Sequence, residues 1–234
     1  MSGWRWLEQP WPEDIDPYPV WAFPPSTCRR AFRARCSSIR WSPAGEGLES
    51  AHAPRATAEG MHLSSGWNDE SMRIVVLSDT HGPRFWKRCP PGVAEHLLAA
   101  EVILHAGDVC VASVLEELSA YAPVHAVLGN NDGPDVSTWG ARETAELDLA
   151  GLRVGMIHDA GPREGRLARL RRRFPESHLV VFGHSHIPLQ AVDRNFRIFN
   201  TGSPTDKRRQ PHRTLGVLEI EYGHLIRAEI VTLP

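Results

Sequence analysis

Val75-Val76-Leu77-Ser78-Asp79-Thr80-His81-Gly82 is an apolar run that stops at an Asp, with a His two places on and then a Gly. Such a run reads as a buried strand whose carboxyl end opens into a tight loop. Open α/β sheets bind ligands at the carboxyl ends of their strands. This strand end is therefore where a site is expected, and the rest of the chain is read outward from it.

The same event recurs. Gly107-Asp108, Gly129-Asn130-Asn131-Asp132, His158-Asp159 and Gly183-His184-Ser185-His186 each follow a short apolar segment or sit at its end. Glycine permits positive φ and close backbone approach, which a loop folding around an ion requires. Alternate residues of an extended loop share a side, so Asp79 and His81 can face one way, as can His184 and His186. The candidate metal ligands are then Asp79, His81, Asp108, Asn130, His158, His184 and His186. Three oxygen donors and four imidazoles are too many for one ion. They suit two divalent cations that share the carboxylate of Asp108. The mixed donor set favours manganese, iron or zinc over calcium or magnesium. Two manganese ions are the expected cofactors, with iron, zinc or nickel as alternatives.

Between these ends the chain alternates. Arg73–Ser78, Val102–His105 and Val124–Leu128 read as strands, separated by helices at Pro91–Ala100 and Ala112–Tyr121. That order argues for parallel βαβ units with right-handed crossovers. Glu146–Leu149 and Leu152–Ile157 flank Ala150-Gly151 as a hairpin. An Arg-rich helix at Gly165–Phe174 and a buried strand at Leu179–Phe182 follow. Leu189–Val192, Arg197–Phe199, Thr214–Ile220 and Leu225–Val231 read as strands, so the chain is expected to end largely as a β meander. Pro83–Pro91 and Gly133–Thr144 read as loops at the rim of the site. The five arginines from Arg166 to Arg173 read as a solvated face.

Each polar cluster alone has an ordinary explanation, a capped loop or a turn; together, in this order, they are specific. The series Asp-x-His, Gly-Asp, Gly-Asn-x-Asp, His, Gly-His-x-His resembles the calcineurin-like metallophosphoesterases. With Asn200-Thr201-Gly202-Ser203 after the last His pair, it is most similar to their small bacterial and archaeal phosphodiesterase branch. The resemblance spans about Met72 to Pro234. It implies an α/β fold of four layers (α/β/β/α), two facing mixed sheets with helices outside. It implies Asp79, His81, Asp108 and His186 at one metal, and Asp108, Asn130, His158 and His184 at the other. The activity it implies is hydrolysis of a phosphodiester by a hydroxide bridging the two metals. A phosphomonoesterase of the same fold and a non-catalytic scaffold are the alternatives. Larger members carry His at the third place of Gly-Asn-His-Asp, where it can protonate the leaving alkoxide. Here that place is Asn131, whose amide donates a hydrogen bond but cannot transfer a proton. Asn131 and Asp132 are the candidate catalytic pair, with Asp132 in an orienting role.

The bulk properties agree. Formal net charge is −2 over 234 residues, and residues 72–234 carry 19 basic and 19 acidic residues, so nucleic acid and membranes are not the expected partners. A small phosphoester substrate is, and a homo-oligomer is compatible. Cys28, Cys36, Cys89 and Cys110 form no CxxC pair and read as free thiols in a reducing cytoplasm. Residues 1–71 hold Trp4, Trp6, Trp11, Trp21, Trp41 and Trp67, the adjacent Pro24-Pro25 and a cluster of arginines from Arg29 to Arg40. No period persists there. The segment reads as a low-order extension, or as an upstream stretch preceding a true start at Met72.

Overall fold

A computed structural model of the chain describes residues 71–234. The reading of residues 1–71 as a low-order extension lies, apart from Ser71, outside the described residues.

Strand β1 (Met72–Leu77) has Ile74, Val75, Val76 and Leu77 fully buried. Both of its faces are covered, which is why its sequence shows no polar alternation. Ile74 and Val76 point into an apolar layer between two sheets, whereas Val75 and Leu77 point under helices on the outer side. β1 runs parallel to β2 (Val102–His105), and β2 runs parallel to β3 (Val124–Ala126). The crossovers are α1 (Pro91–Leu97) and α2 (Ala112–Ser119), whose Val93, Leu97, Val114, Leu115 and Leu118 cover the outer face.

The second sheet starts at the hairpin β4 (Thr144–Leu149) and β5 (Leu152–Ile157). Strand β6 (Leu179–Phe182) lies parallel to β5 and to β8 (Phe196–Asn200), and β7 (Leu189–Asp193) pairs antiparallel with β8. Leu179 and Val181 face the first sheet across Ile74, Val76 and Leu104. Val180 and Phe182 face outward against Leu170 and Phe174 of the helix Arg166–Arg173 and its C-terminal flank. The result is two facing mixed sheets with helices on their outer sides.

Two features depart from the sequence reading. The stretch expected as a rim loop contains a short helix, α3 (Pro134–Trp139), with Pro at its start, Asp135 in its first turn and Gly140 (φ 127°) at its end. The Arg-rich helix is accordingly α4 (Arg166–Arg173). The chain end is also not one meander. Strands β9 (Arg213–Glu221) and β10 (His224–Leu233) return to the first sheet, in the order β10-β9-β1-β2-β3. The second sheet has the order β4-β5-β6-β8-β7. β9 pairs antiparallel with β1, Val75 opposite Val217, and buries side chains on both faces. Among the described residues, no helix is long and apolar enough to cross a membrane.

Candidate metal centre

The parallel strands β1, β2, β3, β5 and β6 all deliver their carboxyl ends to one edge of the two sheets. The chain leaves several of these ends by a sharp reversal. Asp79 (φ 57°), His81 (49°), Asp108 (56°), His184 (67°) and His186 (57°) all lie in the left-handed region that non-glycine residues avoid. This conformation falls on the candidate ligands themselves, more than on the neighbouring glycines. Gly107 (φ 88°) has it too, but Gly129 serves close approach: a Cβ there would lie 2.2 Å from both N and Oδ1 of Asp108. Backbone held in such states concentrates at functional sites.

Two groups of donor atoms result, in each of which all atoms lie within 4.8 Å of one another. The first is Asp79, His81 and His186; the second is Asp108, His158 and His184. His184 and His186 therefore diverge rather than share a side. His186 stacks on His81 with ring centroids 5.1 Å apart, and His184 meets His158 edge-on at 5.2 Å. Asp108 lies between the groups, its Oδ2 3.7 Å from His81 Nε2 and 3.4 Å from His158 Nε2. Asn130 joins the second group through its Oδ1, 2.8 Å from His184 Nδ1. A cavity of about 460 Å³ opens beside this group, lined by Asn130, Glu143, His158, Asp159 and His184.

The surrounding hydrogen bonds fix which atoms face inward. His158 Nδ1 donates to the Ala106 carbonyl (2.7 Å) and His186 Nδ1 to the Asp206 carbonyl (2.5 Å). A carbonyl only accepts, so in the neutral ring each Nε2 is a lone pair. His158 Nε2 and Asp79 Oδ1 are buried and have no hydrogen-bond partner. His186 Nε2 stands 3.3 Å from Asp79 Oδ1 and 3.1 Å from His81 Nε2. The His186 lone pair and the unpartnered Asp79 oxygen are two acceptors that converge unfavourably unless a cation lies between them. The oxygen and imidazole donors thus fit divalent transition-metal ions.

Electrostatics point the same way. Burial pushes the Asp79 carboxyl up to about 7, against the Ser78 hydroxyl, which lies 2.7 Å from its Oδ2. Burial also opposes ionisation of Asp108, yet the His158 ring and two Asn131 hydrogen bonds hold it well below the usual carboxylate range. His158 is raised because the Asp108 carboxylate outweighs its burial, whereas burial lowers His81 and His186.

Asn131 and Asp132 are both turned toward Asp108. Asn131 donates its backbone N–H to Asp108 Oδ1 (2.9 Å) and its amide Nδ2 to Oδ2 (2.7 Å). The Asp132 carboxylate accepts from the backbone N–H groups of Gly129 (2.7 Å), Cys110 (2.6 Å) and Asp108 (3.2 Å). Further supports carried little signal in sequence. Ser203 Oγ donates to the Asp79 carbonyl and Thr205 Oγ1 to the Thr80 carbonyl, both at 2.8 Å. His105 is fully buried and sits 3.0 Å from the Thr80 hydroxyl. Burial lowers its pKa to about 3, so the ring is neutral.

Comparison with known proteins follows this geometry. Residues 72–223 match the calcineurin-like phosphoesterase superfamily domain. A probable metallophosphoesterase of Methanothermobacter thermautotrophicus is 34% identical over 163 residues, covering 68% of this chain and 92% of the relative. Vacuolar protein sorting 29 from Cryptosporidium parvum is similar in fold, with TM-score 0.58 at 18% identity over 70% of this chain and all of that one. So is a novel archaeal phosphodiesterase, with TM-score 0.53 at 19% identity over 68% of this chain and all of that one. By its strand-end motifs, its facing sheets and its match over residues 72–223, the chain belongs to the calcineurin-like phosphoesterase superfamily.

Proposed function

We propose that the chain is a dinuclear metal-dependent phosphodiesterase acting on a small phosphoester. The observation that carries this reading is the convergence of two groups of ligand-type atoms, each containing a buried atom without a hydrogen-bond partner, Asp79 Oδ1 in one and His158 Nε2 in the other. In this reading Asp79, His81 and His186 hold one cation, Asn130, His158 and His184 the other, and Asp108 serves both. Divalent cations held by these residues would supply Lewis-acid chemistry, lowering the pKa of water and offsetting charge on the phosphoryl oxygens. The mixed donors suit manganese, iron or zinc without choosing among them, and manganese is the ion proposed for the test.

The chain's own residues orient this centre. Asn131 fixes both oxygens of Asp108, so that the shared carboxylate cannot rotate. Asp132 ties together the backbone of Asp108, Cys110 and Gly129. Both are positioning residues in this reading, and neither hands a proton to the leaving alkoxide. Esters with good leaving groups are therefore the favoured substrates. Cys89 and Cys110 are free thiols, in keeping with a reducing cytoplasm.

The test is hydrolysis of bis(p-nitrophenyl) phosphate and p-nitrophenyl phosphate by the full chain with manganese. The diester should give the higher kcat/KM, and Asp108→Asn should abolish turnover. A manganese-loaded protein that cleaves neither ester, or that prefers the monoester, overturns the reading.

A further inference from the structure

The segment between β8 and β9 crosses the first donor group and is fastened to it at three points. Ser203 holds the Asp79 carbonyl, Thr205 holds the Thr80 carbonyl, and the Asp206 carbonyl receives His186 Nδ1–H. Four cationic side chains follow. Two are committed elsewhere: Lys207 Nζ donates to the Pro211 carbonyl and Arg213 Nε to the Thr205 carbonyl, both at 3.0 Å. Arg209 is exposed.

Arg208 differs from all three. Its backbone is left-handed (φ 47°), which turns it back on the segment, and its N–H donates to the Asp206 carboxylate at 3.2 Å. Its Nε stands 3.9 Å from Asp206 Oδ2, and that same oxygen is 3.8 Å from His186 Nδ1. The side chain is half exposed, and among the described residues its guanidinium makes no hydrogen bond. A charge-assisted hydrogen bond is about 2.7–2.9 Å long. At 3.9 Å, Asp206 restrains the guanidinium without occupying its donors.

We propose that Arg208 is a substrate-binding residue, its guanidinium taking a non-bridging phosphoryl oxygen on the side of Asp79, His81 and His186. The proposal rests on the phosphoesterase reading for the identity of the ligand. A guanidinium presents a planar fork of donors that matches phosphate geometry, which the compact ammonium of lysine does not. The segment carrying Arg208 is fastened to the donor group before any ligand arrives, so the guanidinium is tethered close to it, which limits the entropy lost on binding.

The experiment compares full-length wild type with Arg208→Ala, Arg208→Lys and Arg209→Ala, all loaded with manganese. Inorganic phosphate binding is measured by calorimetry, manganese content by elemental analysis, and KM and kcat on bis(p-nitrophenyl) phosphate. Arg208→Ala should weaken phosphate binding and raise KM by about tenfold each, the order expected for a lost charge-assisted contact, with manganese content unchanged. Arg208→Lys should recover part of the loss, and Arg209→Ala, the same change of charge one residue away, should bind like wild type. The proposal is overturned if Arg208→Ala binds phosphate as wild type does, if Arg209→Ala weakens binding equally, or if Arg208→Ala loses manganese. It is also overturned if the manganese-loaded wild type binds no phosphate. A wild type that binds phosphate through Arg208 but hydrolyses no ester upholds this proposal while overturning the phosphodiesterase reading.

Discussion

Asp79 is fully buried, with one carboxylate oxygen against Ser78 and the other against nothing that donates. In the metal-free protein burial raises its pKa from 3.8 to about 7. The folded state thus holds this proton more tightly than the unfolded chain does. Its contribution to stability is present in full below about pH 4 and is lost as pH rises through about 7. Manganese has to displace the same proton. From this group alone, affinity should fall about tenfold per pH unit below 7 and level off above it. His158 is raised as well and steepens the slope, whereas burial lowers His81 and His186, which add less to it. Calorimetric manganese titrations at pH 5.5, 6.5 and 7.5 check this, and an affinity flat across that range would contradict the assignment of Asp79. Gly129 gives a second residue-scale prediction. A methyl group there would fall 2.2 Å from the backbone N and Oδ1 of Asp108, with no flexible neighbour able to yield. Gly129→Ala should misplace Asp108 and cut diester kcat by about a hundredfold, the cost of an ångström-scale displacement in a reacting site. A variant that keeps wild-type kcat would show that Asp108 need not be held so closely.

At the scale of elements, α4 shows what its arginines are for. Arg169 donates to the carbonyls of Ala160 (2.7 Å), Pro162 (2.5 Å) and Glu164 (3.3 Å), and Arg166 donates to Gly161 (2.8 Å). Arg171 reaches the Asp193 carbonyl at 2.9 Å. Three of the five arginines therefore brace neighbouring backbone, chiefly the loop leading away from His158, and do not form the free solvated face the sequence suggested. Arg169→Ala should cost about 1–2 kcal/mol of stability by denaturant unfolding, since its hydrogen bonds are charge-assisted but partly solvated. Arg172→Ala, on the exposed side, should stay within about 0.5 kcal/mol. Equal effects of the two variants would mean that the carbonyl contacts stabilise nothing. The arginines of α4 also mark where sequence legibility ends. β1, β2 and β6 were readable because burial on both faces leaves an unbroken apolar run. Asp79, Asp108 and His184 were readable because each is polar just past such a run. α3 was hidden, as six residues span under two turns and establish no period. The return of β9 to β1 was hidden because pairing partners far apart in the chain leave no local trace. The left-handed backbone at Asp79, His81, Asp108, His184 and His186 was hidden because Asp and His do not announce it as glycine does.

At the scale of the whole domain, the candidate donors divide between the sheets. Asp79, His81, Asp108 and Asn130 follow strands of the first, and His158, His184 and His186 follow strands of the second. Away from this edge the sheets are joined by apolar contacts such as Ile74, Val76 and Leu104 with Val154, Leu179 and Val181. At this edge the buried groups include Asp79, Asp108, His158 and His186, with Asp108 of the first sheet 3.4 Å from His158 of the second and Asp79 of the first 3.3 Å from His186 of the second. Metal binding should therefore stabilise the domain as a cross-link between sheets. At a hundredfold excess over Kd, each ion contributes about 2.7 kcal/mol if the unfolded chain does not bind it. For a domain of this size about 2–4 °C accompanies each kcal/mol, so manganese should raise the melting temperature of chelator-treated protein by roughly 5–10 °C per ion. Asp108→Asn, which weakens both positions, should show less than half of the wild-type rise. Hydrogen exchange separates a cross-link from simple local ligation. With manganese, amides at the carboxyl ends of both β1 and β6 should slow together, because opening either sheet edge breaks the same donor set. Protection confined to one sheet would mean that each ion is served from one side only, and that Asp108 does not couple the two halves.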